Sequence, residues 1–151
     1  MGNPRPAGGG GIGWDASGGL LFAFSHGYGT TTNNKAELRA LHDAMKISIC
    51  RGYNRIFLEF DSKCMVNAFI GKSSPTWKWR YWWTRIRALR IGGTFLIFRV
   101  PREVNGPADE LAKAATTSQL NFMYLSPSKL PIRVKGLYRL DQLGFGSVRE
   151  T

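Results

Sequence analysis

Thr31-Thr32-Asn33-Asn34-Lys35-Ala36-Glu37-Leu38-Arg39-Ala40-Leu41 is the stretch on which the fold of this 151-residue chain turns. Asn34 has the short polar side chain of a helix N-cap, and Glu37 follows three residues later, the spacing of a capping box. Leu38, Leu41, Met45 and Ile49 then recur at helical intervals as far as Gly52, a natural stop. The pattern predicts a helix that carries Glu37 inward on its first turn. Taken alone, Glu37 is a capping glutamate. Two later carboxylates give it a second reading.

Toward the N-terminus, residues 2–13 are rich in glycine and proline, and predict a flexible or turn-forming opening that leads into a strand at Ile12–Trp14. Asp15-Ala16-Ser17-Gly18 reads as a turn and Leu20–Phe24 as the returning strand of a hairpin. A Gly/Thr/Asn loop then leads to the helix. Beyond it, Arg55–Asp61 is a compact apolar strand with Asp61 at its carboxyl end. Ser62–Gly71 reads as a short helix, and Thr76 can cap another running to Arg90. Thr94–Val100 is the next strand. Pro107 suits the first turn of a last helix with Asp109, Leu111, Ala112 and Ala115. This order predicts an α/β domain with a mixed sheet flanked by helices over residues 1–120, and an extended tail over 121–151.

The composition is globular, with 43% hydrophobic and 21% charged residues. Twenty-one Lys and Arg against 10 Asp and Glu give a formal charge of +11, which argues for a polyanionic partner, nucleic acid first. No apolar run approaches a membrane span and no signal-peptide core is present, so an intracellular protein, nuclear or cytoplasmic and monomeric, is expected. Pro6 stands where myristoylation needs Ser or Thr. Cys50 and Cys64 lack metal-ligand spacing and read as buried thiols.

Glu37, Asp61 and Asp109 all fall at ends of elements, where carboxylates converge most easily. Hydrolysis of a phosphodiester with two divalent cations needs several acidic oxygens at one point. The plain alternatives are helix-dipole stabilisation for Asp109 and an N-cap-like role for Asp61. From Ser62 to Arg102 there are nine Lys or Arg and no acid. Within that span, Trp77-Lys78-Trp79-Arg80-Tyr81-Trp82-Trp83 predicts a helix that buries Trp79, Trp82, Trp83 and Ile86. Lys78, Arg80, Arg85 and Arg87 would then lie along a duplex backbone.

Thr32-Asn33-Asn34-Lys35-Ala36-Glu37-Leu38, Phe60-Asp61-Ser62 and Asn105-Gly106-Pro107-Ala108-Asp109-Glu110-Leu111-Ala112 together resemble the successive blocks of type 1 ribonuclease H. Gly2-Asn3-Pro4 and Arg102-Glu103-Val104-Asn105 are similar to the ribonuclease H-like domains of plant reverse-transcriptase-associated proteins. The resemblance spans about residues 2–116 and implies Mg²⁺-dependent endonucleolytic hydrolysis of the RNA strand of RNA–DNA hybrids. It assigns Glu37, Asp61 and Asp109 to metal binding and catalysis, and Asn3, Asn33, Asn34, Ser62 and Lys63 to hybrid contact. The family's first carboxylate lies on a central strand preceding Gly2-Asn3-Pro4, so a sheet lacking that strand and an impaired or purely binding domain are expected. Ile132-Arg133-Val134 has the alternation for a replacement strand. Arg99 stands where many members carry a histidine, and His26 and His42 match no family position.

Overall fold

In a computed structural model, which describes residues 4–15, 19–53, 55–60, 79–99 and 106–136, the chain opens with a long antiparallel hairpin. Strand β1 (Arg5–Trp14) pairs with β2 (Leu20–Thr31), Gly11 opposite Phe24. Both strands are longer than the sequence suggested, because the glycine run belongs to β1 and the expected loop before the helix belongs to β2. Sterics explain why glycines make this strand. A Cβ on Gly9 or Gly11 would lie 2.5 or 2.6 Å from the rings of Tyr28 and Phe24, which lie across β1 on one face. On the other face a Cβ on Gly8 or Gly10 would lie 2.6 Å from atoms of the helix Gly106–Ser118. A strand with no side chains on either face admits close neighbours on both.

Helix α1 (Asn33–Cys50) is capped by Thr32, whose Oγ1 accepts from the Lys35 amide at 3.3 Å. Asn34 is therefore inside the helix, and Glu37 lies beyond the first turn, where it cannot close a capping box. Thr32 takes the cap because its extended backbone continues from β2. Leu38, Leu41 and Met45 are fully buried. The helix ends as expected at Gly52, which adopts φ +83°. Cys50 is exposed on its last turn, contrary to the buried thiol expected; Cys64 lies outside the described residues, as do the helix expected at 62–71 and the Thr76 cap.

Strand β3 (Arg55–Phe60) pairs in parallel with β4 (Thr94–Arg99), Ile56 beside Phe95. Helix α2 (Arg80–Arg90) packs on α1, and Trp79, Trp83 and Ile86 join Phe22, Phe24, Leu38, Leu41, Met45 and Ile56 in the main core. Helix α3 (Gly106–Ser118) covers the other face of β1 and β2, where the Ser25 hydroxyl donates to the Leu111 carbonyl at 2.7 Å.

After α3 the chain returns to the hairpin. Gln119, at φ +55°, accepts from the Gly29 amide and donates to the Ala7 carbonyl, at 2.8 and 2.9 Å. The Asn121 side chain accepts from the Gly27 amide. Strand β5 (Phe122–Tyr124) then pairs antiparallel with β2. Leu130 and Val134 are buried with Trp14, Ala23 and Leu111 in a second core. Residues 132–136 are helical, so Ile132-Arg133-Val134 is no replacement strand. A strand would put Ile132 and Val134 on one face, yet Ile132 is 86% exposed and Val134 2%.

Among the described residues the strands form two sheets, β1-β2-β5 and β3-β4, and β1 lies against β3 without a ladder between them. This is the mixed α/β arrangement expected, divided at one seam.

Gly10→Ala forces α3 off β1 and is expected to lower the unfolding free energy by about 1–3 kcal/mol. Gly136→Ala, which meets open space on a helical turn, should raise it by up to about 1 kcal/mol. Urea unfolding of both variants checks the opposite signs.

Candidate carboxylate site and nucleic-acid interface

Helices α1 and α3 approach β1 from opposite faces. Ala40 of α1 lies against Gly9, and the Ala108 carbonyl of α3 against the adjacent Gly10. Glu37 sits three residues before Ala40, partly buried, and Asp109 directly follows Ala108. The two acids thus ride on helices that clasp neighbouring residues of one strand. Asp109 is in the first turn, as expected, and its carboxylate lies 3.2 Å from Lys113 Nζ one turn on, both side chains well exposed. Asp61, the third carboxylate, lies outside the described residues, together with Asn3, Ser62, Lys63 and Lys78. Among the described residues no three potential ligands gather closely enough to hold a metal ion.

Asn33 and Asn34 open α1, the first exposed and the second half-buried. Helix α2 divides as its sequence predicts except at Trp82, expected in the core and only half-buried beside it. Trp79, Trp83 and Ile86 face the core, while Arg80, Arg85 and Arg87 are exposed. With no acid on α2 and arginines in its last turn, every charge on the exposed face is positive.

A cluster that sequence reasoning passed over joins β2 to α1. Asp43 accepts from His26 Nδ1 at 2.8 Å, from the Tyr28 hydroxyl at 2.6 Å and from His42 Nδ1 at 2.9 Å. Burial alone would raise the pKa of Asp43. The three donors outweigh it and hold the carboxyl well below the usual carboxylate range. Burial, then the charge and hydrogen bond of Asp43, push the Tyr28 hydroxyl far above its ordinary value. An ionised carboxylate only accepts, so each histidine presents an Nδ1–H to it. His42 Nε2 in turn accepts from Arg85 Nε at 3.3 Å, which connects the half-buried acid to the cationic face. The two histidines that match no family position therefore position other groups. One signal for this stood in the sequence: His42 falls among Leu38, Leu41 and Met45 on the apolar side of α1, and a polar residue there needs a partner.

Because the Asp43 pKa is lower in the folded chain, the unfolded chain binds more protons in acid. The stabilisation is complete above about pH 5 and drains away as pH falls below it. Asp43→Asn should therefore be less stable than the parent at neutral pH, with a Tm that declines less between about pH 5 and pH 2. Thermal melts across that range would refute the coupling if the two chains lost Tm in parallel.

No helix among the described residues is long and apolar enough to cross a membrane. Compared with known proteins, residues 2–115 match the family described as reverse transcriptase-like. Among solved structures, the chain is similar to ribonuclease H1 from the halophilic archaeon Halobacterium salinarum. Identity is 32% and TM-score 0.72, over 78% of this chain and 90% of that one. It is similar as well to the N-terminal ribonuclease H domain of a Mycobacterium tuberculosis protein, at 29% identity and TM-score 0.72, covering 79% and 88%. A third likeness is to a ribonuclease H1 called LC11, isolated from compost and solved in complex with an RNA/DNA hybrid. There the identity is 28% and the TM-score 0.66, over 78% and 90%. No curated protein sequence matches.

Proposed function

The chain belongs to this reverse transcriptase-like family with a ribonuclease H-like fold, and from that membership we propose that it binds RNA–DNA hybrid and hydrolyses the RNA strand endonucleolytically with Mg²⁺. The observation that carries the reading is the likeness to LC11 ribonuclease H1, a protein solved with an RNA/DNA hybrid bound. The same reading extends the kinship to the plant reverse-transcriptase-associated domains and has the chain act as an intracellular monomer.

Glu37, Asp61 and Asp109 would hold the metal. Their oxygens are hard donors that suit Mg²⁺, and two of them sit on helices that grip adjacent residues of β1. Bound magnesium would supply a more acidic water and neutralise charge on the leaving oxygen. Glu37 and Asp61 serve as ligands; Asp109 serves as a ligand or orients the attacking water. The present partner of Asp109, Lys113, is 67% exposed. Such pairs contribute roughly 0–1 kcal/mol, so exchange for a cation costs little. Asn3, Asn33 and Asn34 contact the hybrid near its backbone and minor groove, and Ser62 and Lys63 meet it beside Asp61. Lys78, Arg80, Arg85 and Arg87 follow its backbone without reading sequence.

A second reading, a nucleic-acid-binding domain that does not cleave, draws on the seam between β1 and β3. The resemblance puts a strand with a fourth carboxylate in the sheet, and the sequence in hand supplies three matching acids.

Incubation of a labelled RNA–DNA hybrid with the chain in Mg²⁺ separates the two. The first reading expects RNA cleavage that falls at least about hundredfold in Glu37→Gln or Asp61→Asn, with hybrid binding retained. Salt-sensitive binding without cleavage in the parent chain would leave only the second. Cleavage gained only when an upstream strand bearing the fourth carboxylate is added would make that strand the missing part of the site.

A further inference from the structure

Five side chains from β2, α1 and α2 alternate ring and cation in the order Tyr28, Arg39, Trp82, Arg85, Tyr81. The guanidinium carbon of Arg39 lies 4.3 Å from the Tyr28 ring centre and 4.9 Å from that of Trp82. That of Arg85 lies 5.7 Å from Trp82 and 5.6 Å from Tyr81. Two cations therefore share one indole, each near enough for a cation–π attraction. Hydrogen bonds fix both. Arg39 Nη1 donates to the Tyr28 carbonyl at 3.2 Å, and Arg85 donates to His42 Nε2 and, at 3.4 Å, to the Tyr81 hydroxyl. Tyr28 and His42 are themselves held by Asp43.

Neither Arg39 nor Arg85 is seen paired with a carboxylate among the described residues. Asp43, Asp109 and Glu110 pair with His26, His42, Lys113 and Arg133. Arg39 is half-buried, and its Nε is buried with no hydrogen-bond partner. Packing accounts for the stacked rings, but a partly desolvated guanidinium without a counter-anion is unfavourable unless an anion arrives. The planar fork of arginine matches phosphate oxygens, and fixing it beforehand lowers the entropy lost on binding. Both guanidiniums lie within 6 Å of one ring centre, which places them within reach of phosphates one or two nucleotides apart.

We propose that Arg39 and Arg85, set around Trp82, form a clamp for neighbouring backbone phosphates of one nucleic-acid strand. The inference rests on the nucleic-acid-binding reading above and extends the cationic face of α2 onto α1, to a residue that no motif marks. Asp43 and His42 are positioning residues for it, since they orient Tyr28 and Arg85 without touching the strand.

The test is the salt dependence of binding, measured with a blunt RNA–DNA hybrid and with single-stranded DNA of the same length. Each lost phosphate contact lowers the slope of log K against log salt by about 0.9 on a duplex and about 0.7 on a single strand. Arg39→Gln and Arg85→Gln should each remove about one such contact and the double variant about two. Arg39→Lys, which keeps the charge, should retain most of the slope, and Lys129→Gln should leave it unchanged. A steep parental slope that Arg39→Gln does not alter would overturn the clamp while leaving hybrid binding in place. Equal binding of both probes, with the slope still falling, would support the clamp and remove the hybrid preference. Failure of the parent chain to bind either probe would end both. Should Arg39→Gln unfold, the Nε–H signals of Arg39 and Arg85 in the unmutated chain decide by NMR. They shift on adding single-stranded DNA if the clamp exists; a shift confined to other arginines refutes it.

Discussion

The whole arrangement depends on how closely two helices can approach one strand. Strand β1 offers bare backbone to α3 through Gly8 and Gly10, and to the Tyr28 and Phe24 rings through Gly9 and Gly11. Glycine in a strand ordinarily weakens it through lost entropy and absent packing. Here the packing comes from neighbours that fill the missing side-chain volume, aromatic rings from β2 and helix backbone from α3. The same closeness sets the helices that carry Glu37 and Asp109 against neighbouring residues of one strand, Gly9 and Gly10.

A second organising group is Asp43. A carboxylate taken from water needs several donors to remain charged, and it receives them from His26, Tyr28 and His42. The bonds from His26 and Tyr28 tie β2 to α1, and His42, on α1 itself, carries the link through Arg85 to α2. The interior of the domain is thereby joined to its most cationic surface by polar contacts of fixed direction. Apolar packing between α1 and α2 sets their distance; this chain of donors and acceptors sets which way the arginines face.

Much of this was legible in the residues. The apolar periodicity of α1, the buried tryptophans of α2 and the alternation of apolar strands all follow from burial, which leaves its mark on composition. The positions of β1 and of Thr32 as cap were not legible, for definite reasons. A glycine run carries no alternation to read, because its side-chain sites are occupied by other parts of the chain. Asn34 is as good a cap chemically as Thr32, and only the continuation of β2 to Thr31 decides between them. Glu37 and Asp109 could be singled out by motif, but the strand they flank could not. Asp43 escaped notice because its partners, seventeen and fifteen residues away on β2, meet it only once the hairpin has folded onto the helix.

The residues after α3 bear on how the hairpin behaves in company. Open strand edges are templates for other chains, and β2 is long enough to offer one beyond its pairing with β5. Gln119 and Asn121 occupy the Gly29 and Gly27 amides with their own side-chain carbonyls. A foreign strand would have to displace both before it could add there. Leu120, Phe122, Met123 and Leu125 next to them are each about half-exposed, the composition that tends to associate. Two amide side chains and a chain-wide positive charge thus stand as gatekeepers beside a segment of sticky composition.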